Sequence, residues 1–446
     1  MKNVFSLKEI NRIAIPALFA GIAEPLLSMA DTAFVGHLPN LATESLAAVG
    51  LVGVFLSMLI WILGQTRSAI STIVSQYLGA EKLNEIANLP AQAIYSVLVL
   101  SLIIIGFTYP FADAIFKLYN ADHLLLKLSV DYYKIRVFGL PFTLFTFAVF
   151  GTFRGLQNTF YPMIIAITGA LLNIILDYVL IFGYNNLIPA MGIKGAAVAS
   201  VMAQFVMALL AFIFLYIKTP FRLRLSLPFN PEMKNLVLMI ANLFIRTIAL
   251  NVALYYGSAY ATKYGDTSIA AYTISIQIWF FFAFVLDGYS SAGNILSGKL
   301  FGGKRYVDLE ILGKKLMKYG MVTGIVLGLI SAIFYKDIGH VFIKDSDVLK
   351  QFYSVFWIVL AMQPINGIAF VFDGVFKGLG YMSYLRNVLL LATFIGFIPT
   401  LFLFDYFNFN LYAIWIAFTV WMLIRAGTLW YKFTHLSVFK NENIVT

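Results

Sequence analysis

The sequence contains no cysteine, which excludes disulfides and thiolate-bound metal. Its four histidines are scattered, His37 in "VGHL" among them, and neither an HExxH nor a GxSxG stretch occurs. The usual metal-centred and hydrolytic motifs therefore have no residues to build on. Charge is also scarce: Asp, Glu, Lys and Arg make up 12% of 446 residues, against 61% hydrophobic, and the mean hydropathy is +0.86. A soluble chain of this length carries about twice that share of charge. One stretch imitates a phosphate-binding loop, "GKLFGGKR" (298–305), through Gly298, Gly303 and Lys304. Arg305 stands where a Ser or Thr would hold magnesium, and an apolar helix rather than a strand precedes it, which argues against direct use of ATP.

What is present is a succession of apolar runs of about 20 residues or more, the mark of membrane-spanning helices rather than of an outer-membrane barrel. Twelve are expected, at 12–36, 46–77, 90–116, 132–154, 160–184, 193–217, 235–262, 268–299, 314–336, 351–377, 386–406 and 410–432. The fold class is thus an all-α polytopic membrane protein with no soluble domain between its spans. The first run exceeds a signal peptide's apolar region and no small-residue cleavage site follows it, so it is read as a retained first helix.

The formal charge of +10 follows topology. With the N-terminus inside, nineteen Lys and Arg fall in joints on the inner side, Lys2, Lys82, Lys304 and Lys440 among them, and nine on the outer side, among them Arg136 and Lys344. That asymmetry places both termini in the cytoplasm and points to membrane lipid, not nucleic acid, as the partner of the basic residues.

Internal repeats are legible. "GTFRGLQ" (151–157) returns as "DGVFKGLG" (373–380), aligning Arg154 with Lys377 at an offset of 223. "SLAAVGLVGVF" (45–55) matches "SIAAYTISIQI" (268–278) at the same offset, and "SQYLGAEK" (75–82) matches "SGKLFGGK" (297–304) within one residue of it. The expected organisation is two six-helix halves of equal topology, 1–217 and 235–446, joined by a cytoplasmic linker at 218–234 that contains Pro220, Pro228 and Pro231. Two parallel repeats enclosing a cleft are the plan of a secondary transporter working by alternating access.

Acids inside membrane helices are costly and are functional candidates by default. "AEPLLSMADTAFVG" (23–36) holds two, Glu24 and Asp31, two helical turns apart on one face, with Pro25 between them freeing the carbonyl of Gly21 and allowing a bend. In "TGALLNIILDYVLIFG" (168–183), Gly169, Asn173 and Asp177 form a small and polar stripe. "GIKGAAVASVMAQ" (192–204) repeats the spacing with Gly192, Ala196, Ser200 and Gln204. Together Asp31, Asn173, Asp177 and Ser200 make an all-oxygen set able to bind a hard cation such as sodium or to share a proton.

These blocks, with "IPALFAGIAEPLLSMADTAFVGHL", "FRGLQNT" and "FDGVFKGLG" in order, resemble the multidrug and toxic compound extrusion (MATE) transporters. The pair of acids on helices 1 and 5 is similar to the DNA-damage-inducible-F (DinF) branch. The resemblance implies a V-shaped, two-lobed, monomeric antiporter of a bacterial cytoplasmic membrane, with no cofactor beyond the transported proton or sodium ion. Its implied substrates are amphipathic, often cationic compounds. It implies cation coupling at Asp31, Asn173, Asp177 and Ser200, with Pro25 as hinge and Glu24 and Gln204 as secondary candidates. Another branch places acids on helices 7 and 10. Asp373 matches the helix-10 acid, with Gln363 and Asn366 near it, but the seventh span has Asn242 and Arg246 and no acid, so the first half is favoured. The alternative is a flippase for a lipid-linked saccharide or other amphiphilic lipid, which calls for more basic residues than the Arg67, Arg246 and Arg425 found within spans. Other polar residues have plainer expected roles: Arg246 neutralising Asp287, Arg154 and Lys377 as topology and phosphate anchors, and Gly320, Gly324 and Gly328 as a packing surface.

Overall fold

The computed structural model describes residues 5–436 apart from 40, 120 and 344, without the side chains at 23, 24, 26, 186 and 341. Lys2, Lys344 and Lys440 of the charge count therefore lie outside the described residues, as does the side chain of Glu24. Among the described residues there is no strand, only one isolated bridge between Tyr184 and Ile188.

Among the described residues eleven helices are long and apolar enough to cross a membrane, and a bent pair, taken as one span, makes a twelfth. They are α1 Leu7–Val35, α2 Ala42–Gly79, α3 Leu83–Thr108, α4 His123–Gly155, α5 Phe160–Phe182, α6 Ile193–Lys218, α7 Glu232–Lys263, α8 Asp266–Gly302, α9 Tyr306–Ile333, α10 formed by Ser346–Ala361 and Gln363–Gly378, α11 Met382–Tyr406 and α12 Leu411–Thr434. Each expected apolar run has its helix, because backbone polar groups in lipid are satisfied only by internal hydrogen bonds.

Several spans are interrupted, for local reasons. The two segments of α10 meet at 49°, where Pro364 has no amide to offer the carbonyl of Leu360. Asp345 starts the first segment by accepting the amides of Asp347 and Val348 at 2.9 and 3.0 Å. In α4 the chain tightens into a 3₁₀ turn at Val137–Gly139 just before Pro141. The last turn of α4's first segment therefore carries Arg136.

By internal contacts the chain divides into two compact units. The C-terminal unit comprises Met1–Leu18, Ser75–Glu81 and Ala241–Thr446, and the N-terminal unit Phe19–Val74 and Lys82–Ile240. The core of the first is aromatic, with Trp279, Phe352, Phe356, Phe397, Trp415, Phe418 and Trp421 buried together. In the second, Phe55, Phe116 and Tyr133 form a triangle of ring contacts with centroids 5.4 to 6.1 Å apart.

The sequence repeat is matched by a repeat in backbone conformation. After α4 the amides of Gln157 and Asn158 donate to the carbonyls of Arg154 and Phe153, and after α10 those of Gly380 and Tyr381 donate to Lys377 and Phe376, all at 2.9 to 3.0 Å. Both are Schellman caps, with left-handed residues Gln157 (φ 64°) and Gly380 (φ 81°). A second left-handed pair, Glu81 (φ 59°) and Lys304 (φ 55°), lies at the same offset of 223.

Within the C-terminal unit three of the repeated blocks meet. A Cβ on Gly79 would stand 1.8 Å from the carbonyl oxygen of Lys299, and one on Gly302 1.9 Å from that of Gln76. Gln76 Nε2 also donates to the carbonyl of Gly378 at 2.8 Å. The stripe on α9 has a similar use: a Cβ on Gly320 or Gly324 would lie 2.7 and 2.3 Å from the carbonyls of Gly367 and Gln363 on α10.

The proline-bearing joint at 218–234 is strapped to α3. Gln92 Nε2 donates to the carbonyl of Ser226 at 2.7 Å, and Gln92 Oε1 accepts the amide of Asn230 at 2.8 Å. Tyr95 Oη reaches the carbonyl of Leu223 at 3.1 Å, and Asn230 Nδ2 returns to Glu85 and Asn88 at 2.9 Å.

Three substitutions test this geometry. Gly302→Ala is expected to lower the melting temperature of the detergent-solubilised protein by the equivalent of about 1–3 kcal/mol. Gly53→Ala, where nothing lies within 4 Å of the new Cβ, should be neutral or stabilise by up to about 1 kcal/mol; equal behaviour of the two variants would contradict the close crossing. Gln92→Ala is expected to accelerate limited proteolysis between Leu223 and Asn230 on the order of tenfold, through loss of hydrogen bonds worth roughly 1 kcal/mol each, and unchanged cleavage would show the joint to be held by something else.

Candidate functional site

The candidate site lies in the N-terminal unit and is assembled from four spans. Close approach of α5 and α6 comes first. Gly169 leaves room for Met207, whose Cγ and Sδ would be 2.3 Å from an added Cβ, and Gly195 lets α6 lie against the carbonyl of Leu180. Small residues at such crossings let side chains one or two turns away meet. Asn173 and Asp177 on α5 and Ser200 and Gln204 on α6 are all buried, and Asp31 of α1 joins them at 2% exposure.

Asp31 is the hub. Ser200 Oγ donates to its carboxylate at 2.7 and 2.9 Å, Tyr132 Oη of α4 at 2.9 Å and Asn173 Nδ2 at 3.4 Å. Arg136, one turn after Tyr132, places Nε 3.8 Å from Asp31 Oδ2. Gln204 Oε1 accepts from Arg136 Nη1 at 2.9 Å. That contact depends on Gly139, where a Cβ would sit 1.9 Å from Gln204 Oε1. Asp31 is thus a carboxylate with both oxygens answered, as burial of a charge requires.

Asp177 is different. Neither of its carboxyl oxygens has a hydrogen-bond partner, and Asn173 Oδ1 also lacks one, although all three atoms are buried. Asp177 lies close enough to Asp31 for the two carboxyls to share a hydrogen bond once one of them carries a proton, and it also feels the charge of Arg136. Two carboxyls and one guanidinium leave the cluster one positive charge short, with three acceptor oxygens free to receive it. Among the described residues no group of three or more His, Cys, Asp and Glu could hold a metal ion, so a bound sodium would need the neutral oxygens of Asn173 and Ser200.

The remaining sequence candidates separate from this centre. Pro25 is half-buried within α1, which runs without a break from Leu7 to Val35. Tyr178, next to Asp177, is 57% exposed and faces away. In the C-terminal unit, Asn366 donates to Gln363 Oε1 at 3.1 Å. Asp373 is held by Arg246 at 2.5 Å and Lys377 at 2.9 Å.

Three sequence expectations are corrected here. Arg246 pairs with Asp373, not Asp287, because α7 presents it to α10. Lys377 is largely buried and reaches back one turn to Asp373, so it is not the surface anchor for lipid phosphate that its place at the end of a span suggested. Arg136, assigned to an outer joint, is 7% exposed beside Asp31. Tyr132 and Arg136 are the site residues that the sequence reading missed. Their signal was a Tyr and an Arg one helical turn apart at the very start of an expected span.

The family pattern described as MatE matches residues 16–179 and 257–406. Protein DETOXIFICATION 42 of Arabidopsis thaliana is 28% identical, over 94% of this chain and 90% of that protein. DNA damage-inducible protein F of Escherichia coli (strain K12) is 24% identical, over 95% and 91%. A solved structure described as the outward-facing conformation of a multidrug resistance MATE family transporter of the MOP superfamily superposes with a TM-score of 0.87 at 20% identity, covering 97% of this chain and 96% of its own. With family pattern and fold in agreement over most of its length, the chain belongs to the MatE family, whose members are secondary transporters and not enzymes.

Proposed function

We propose that this protein exports amphipathic organic compounds by alternating access, driven by inward movement of protons that are carried at Asp177 and Asp31. The observation that supports it most is the Asp177 carboxyl, buried without a hydrogen-bond donor beside an Asp31 whose partners are complete. A proton closes the charge balance of Asp31, Asp177 and Arg136 and can be shared between the two carboxyls. Sodium suits the cluster less well, because a second cation would sit beside the Arg136 guanidinium and would find only three uncommitted oxygens.

In the proposed cycle, protonation removes the charge that orders Asp31 and its partners. The helix shape of α1 then changes at Pro25, where the missing amide leaves the carbonyl of Gly21 free. That change contracts the space available to the exported compound, and the return swing of the transporter discharges the proton to the cytoplasm, where both termini lie by the positive-inside asymmetry. Each inward proton supplies about 1.4 kcal/mol per pH unit and about 2.3 kcal/mol per 100 mV, so one or two sustain a substantial outward gradient. Gln204 acts through Arg136, holding its guanidinium toward the acids. The names of similar proteins, which speak of detoxification and multidrug resistance, accord with this reading.

The test is dye efflux from proteoliposomes under an imposed pH gradient, compared with a sodium gradient. Wild type is expected to respond to the pH gradient, and Asp31→Asn and Asp177→Asn to fall to the rate of protein-free vesicles; sodium-driven efflux, or unaltered rates in both variants, would overturn proton carriage at these acids. Gly139→Ala is expected to displace Gln204 and slow transport about tenfold, the equivalent of one charge-assisted hydrogen bond of roughly 1.5 kcal/mol. Wild-type rates in that variant would remove the Gln204 to Arg136 contact from the mechanism.

A further inference from the structure

The C-terminal unit holds a second buried cluster of charge, of opposite sign. Arg246 on α7, Asp373 and Lys377 on α10, and Arg425 on α12 bring three cations to a single carboxylate. Asp373 is satisfied twice over, by Arg246 and Lys377, one on each oxygen. Arg425 has no such partner. It is 3% exposed, its Nη1 meets the thioether sulfur of Met422 at 3.2 Å, and its guanidinium lies over the rings of Trp421 and Phe370 at 4.7 and 5.7 Å. Asp373 attracts it and Arg246 repels it at longer range.

A buried guanidinium normally faces a carboxylate, because burial of an uncompensated charge is among the most costly arrangements in a protein. Cation–π contacts compensate only in part. They also cover the faces of the guanidinium and leave its rim of N–H donors, which matches the paired oxygens of a carboxylate or phosphate. The cluster therefore carries two positive charges beyond those Asp373 neutralises, with aromatic rings at hand for an apolar body. Around Asp31, Asp177 and Arg136 the excess is acidic, so the two clusters are electrostatically unlike.

We propose that Arg425, with Arg246 and Lys377, forms a subsite for the oxyanionic group of an amphiphile, a carboxylate or phosphate whose apolar portion rests on Trp421 and Phe370. This rests on the export reading only for the direction of movement; binding itself needs no gradient and is measured without one, so failure of one does not entail failure of the other.

The experiment uses the full-length protein in detergent and follows melting temperature and tryptophan fluorescence with three probes: 1-pyrenebutyrate, its trimethylammonium analogue, and dioctanoyl phosphatidate. Wild type is expected to be stabilised by an anionic probe in a saturable manner. Arg425→Gln should weaken that binding at least tenfold while binding of the cationic analogue is unchanged, and Arg425→Lys should recover part of it. Asp373→Asn removes the competing carboxylate and is expected to tighten anion binding several-fold, a gain that misfolding cannot produce. Binding of pyrenebutyrate identifies a soluble organic anion as the occupant class, and binding of phosphatidate alone identifies a lipid headgroup. The proposal is overturned if neither anion binds wild type, or if Arg425→Gln and Asp373→Asn leave anion affinity where it was.

Discussion

A carboxylate inside a membrane has no water to complete its coordination, so whatever answers its charge must come from the chain or from a transported species. The two units meet this constraint in opposite ways. Around Asp31 the chain supplies Ser200, Tyr132, Asn173 and Arg136 and then stops, leaving Asp177 beside them with nothing to accept from. Around Asp373 it supplies more cations than one acid can use. One cluster lacks a positive charge and the other has positive charge to spare. A transporter built this way has a resident reason to prefer different ions in its two units, before any shape complementarity to substrate is considered.

Both clusters lie on helices whose closest crossings are made at positions that have almost no side chain. Gly169 and Gly195 bring α5 and α6 together, Gly139 makes space for the Gln204 carbonyl, and Gly320 and Gly324 bring α9 against the backbone of α10. In lipid, where burial of apolar surface gives helices little reason to associate, such close backbone contact supplies packing that bulkier interfaces cannot. The polar side chains are held by this framework and do not create it. That is why the hydrogen-bonding geometry at Asp31 can be short and specific although its partners come from three different spans.

Much of this was legible in the sequence for a physical reason: hydropathy over about 20 residues has no competing interpretation in a chain so poor in charge, and the repeated blocks are spaced by the same offset. Asp31, Asn173, Asp177 and Ser200 stand out because intramembrane polarity is rare, and the structure brings Asp31, Asn173 and Ser200 into direct contact. What stayed hidden depends on direction. Tyr132 and Arg136 stand at the very edge of the expected run 132–154, where an Arg that faces inward looked like one in a joint, whereas α4 begins nine residues earlier and holds both well inside the helix. Arg246 was matched to Asp287 by helix order, whereas its actual partner is chosen by which face of α7 meets α10. Asn366 shares a face with Asp373 by spacing, with Gln363 near it, yet Asn366 and Gln363 bond to each other and leave Asp373 to the cations.

The left-handed residues of the repeated joints carry a consequence of another kind. Of Glu81, Gln157, Lys304 and Gly380 only one is a glycine, the residue that adopts this conformation without penalty. The other three keep the torsion despite their side chains. Descent from a duplicated ancestor would then be recorded more durably in backbone angles than in residue identity, and the register between the halves can be read from those angles where the letters no longer agree. The block that matches only within one residue by sequence, "SQYLGAEK" against "SGKLFGGK", falls into the common register once its torsions are compared.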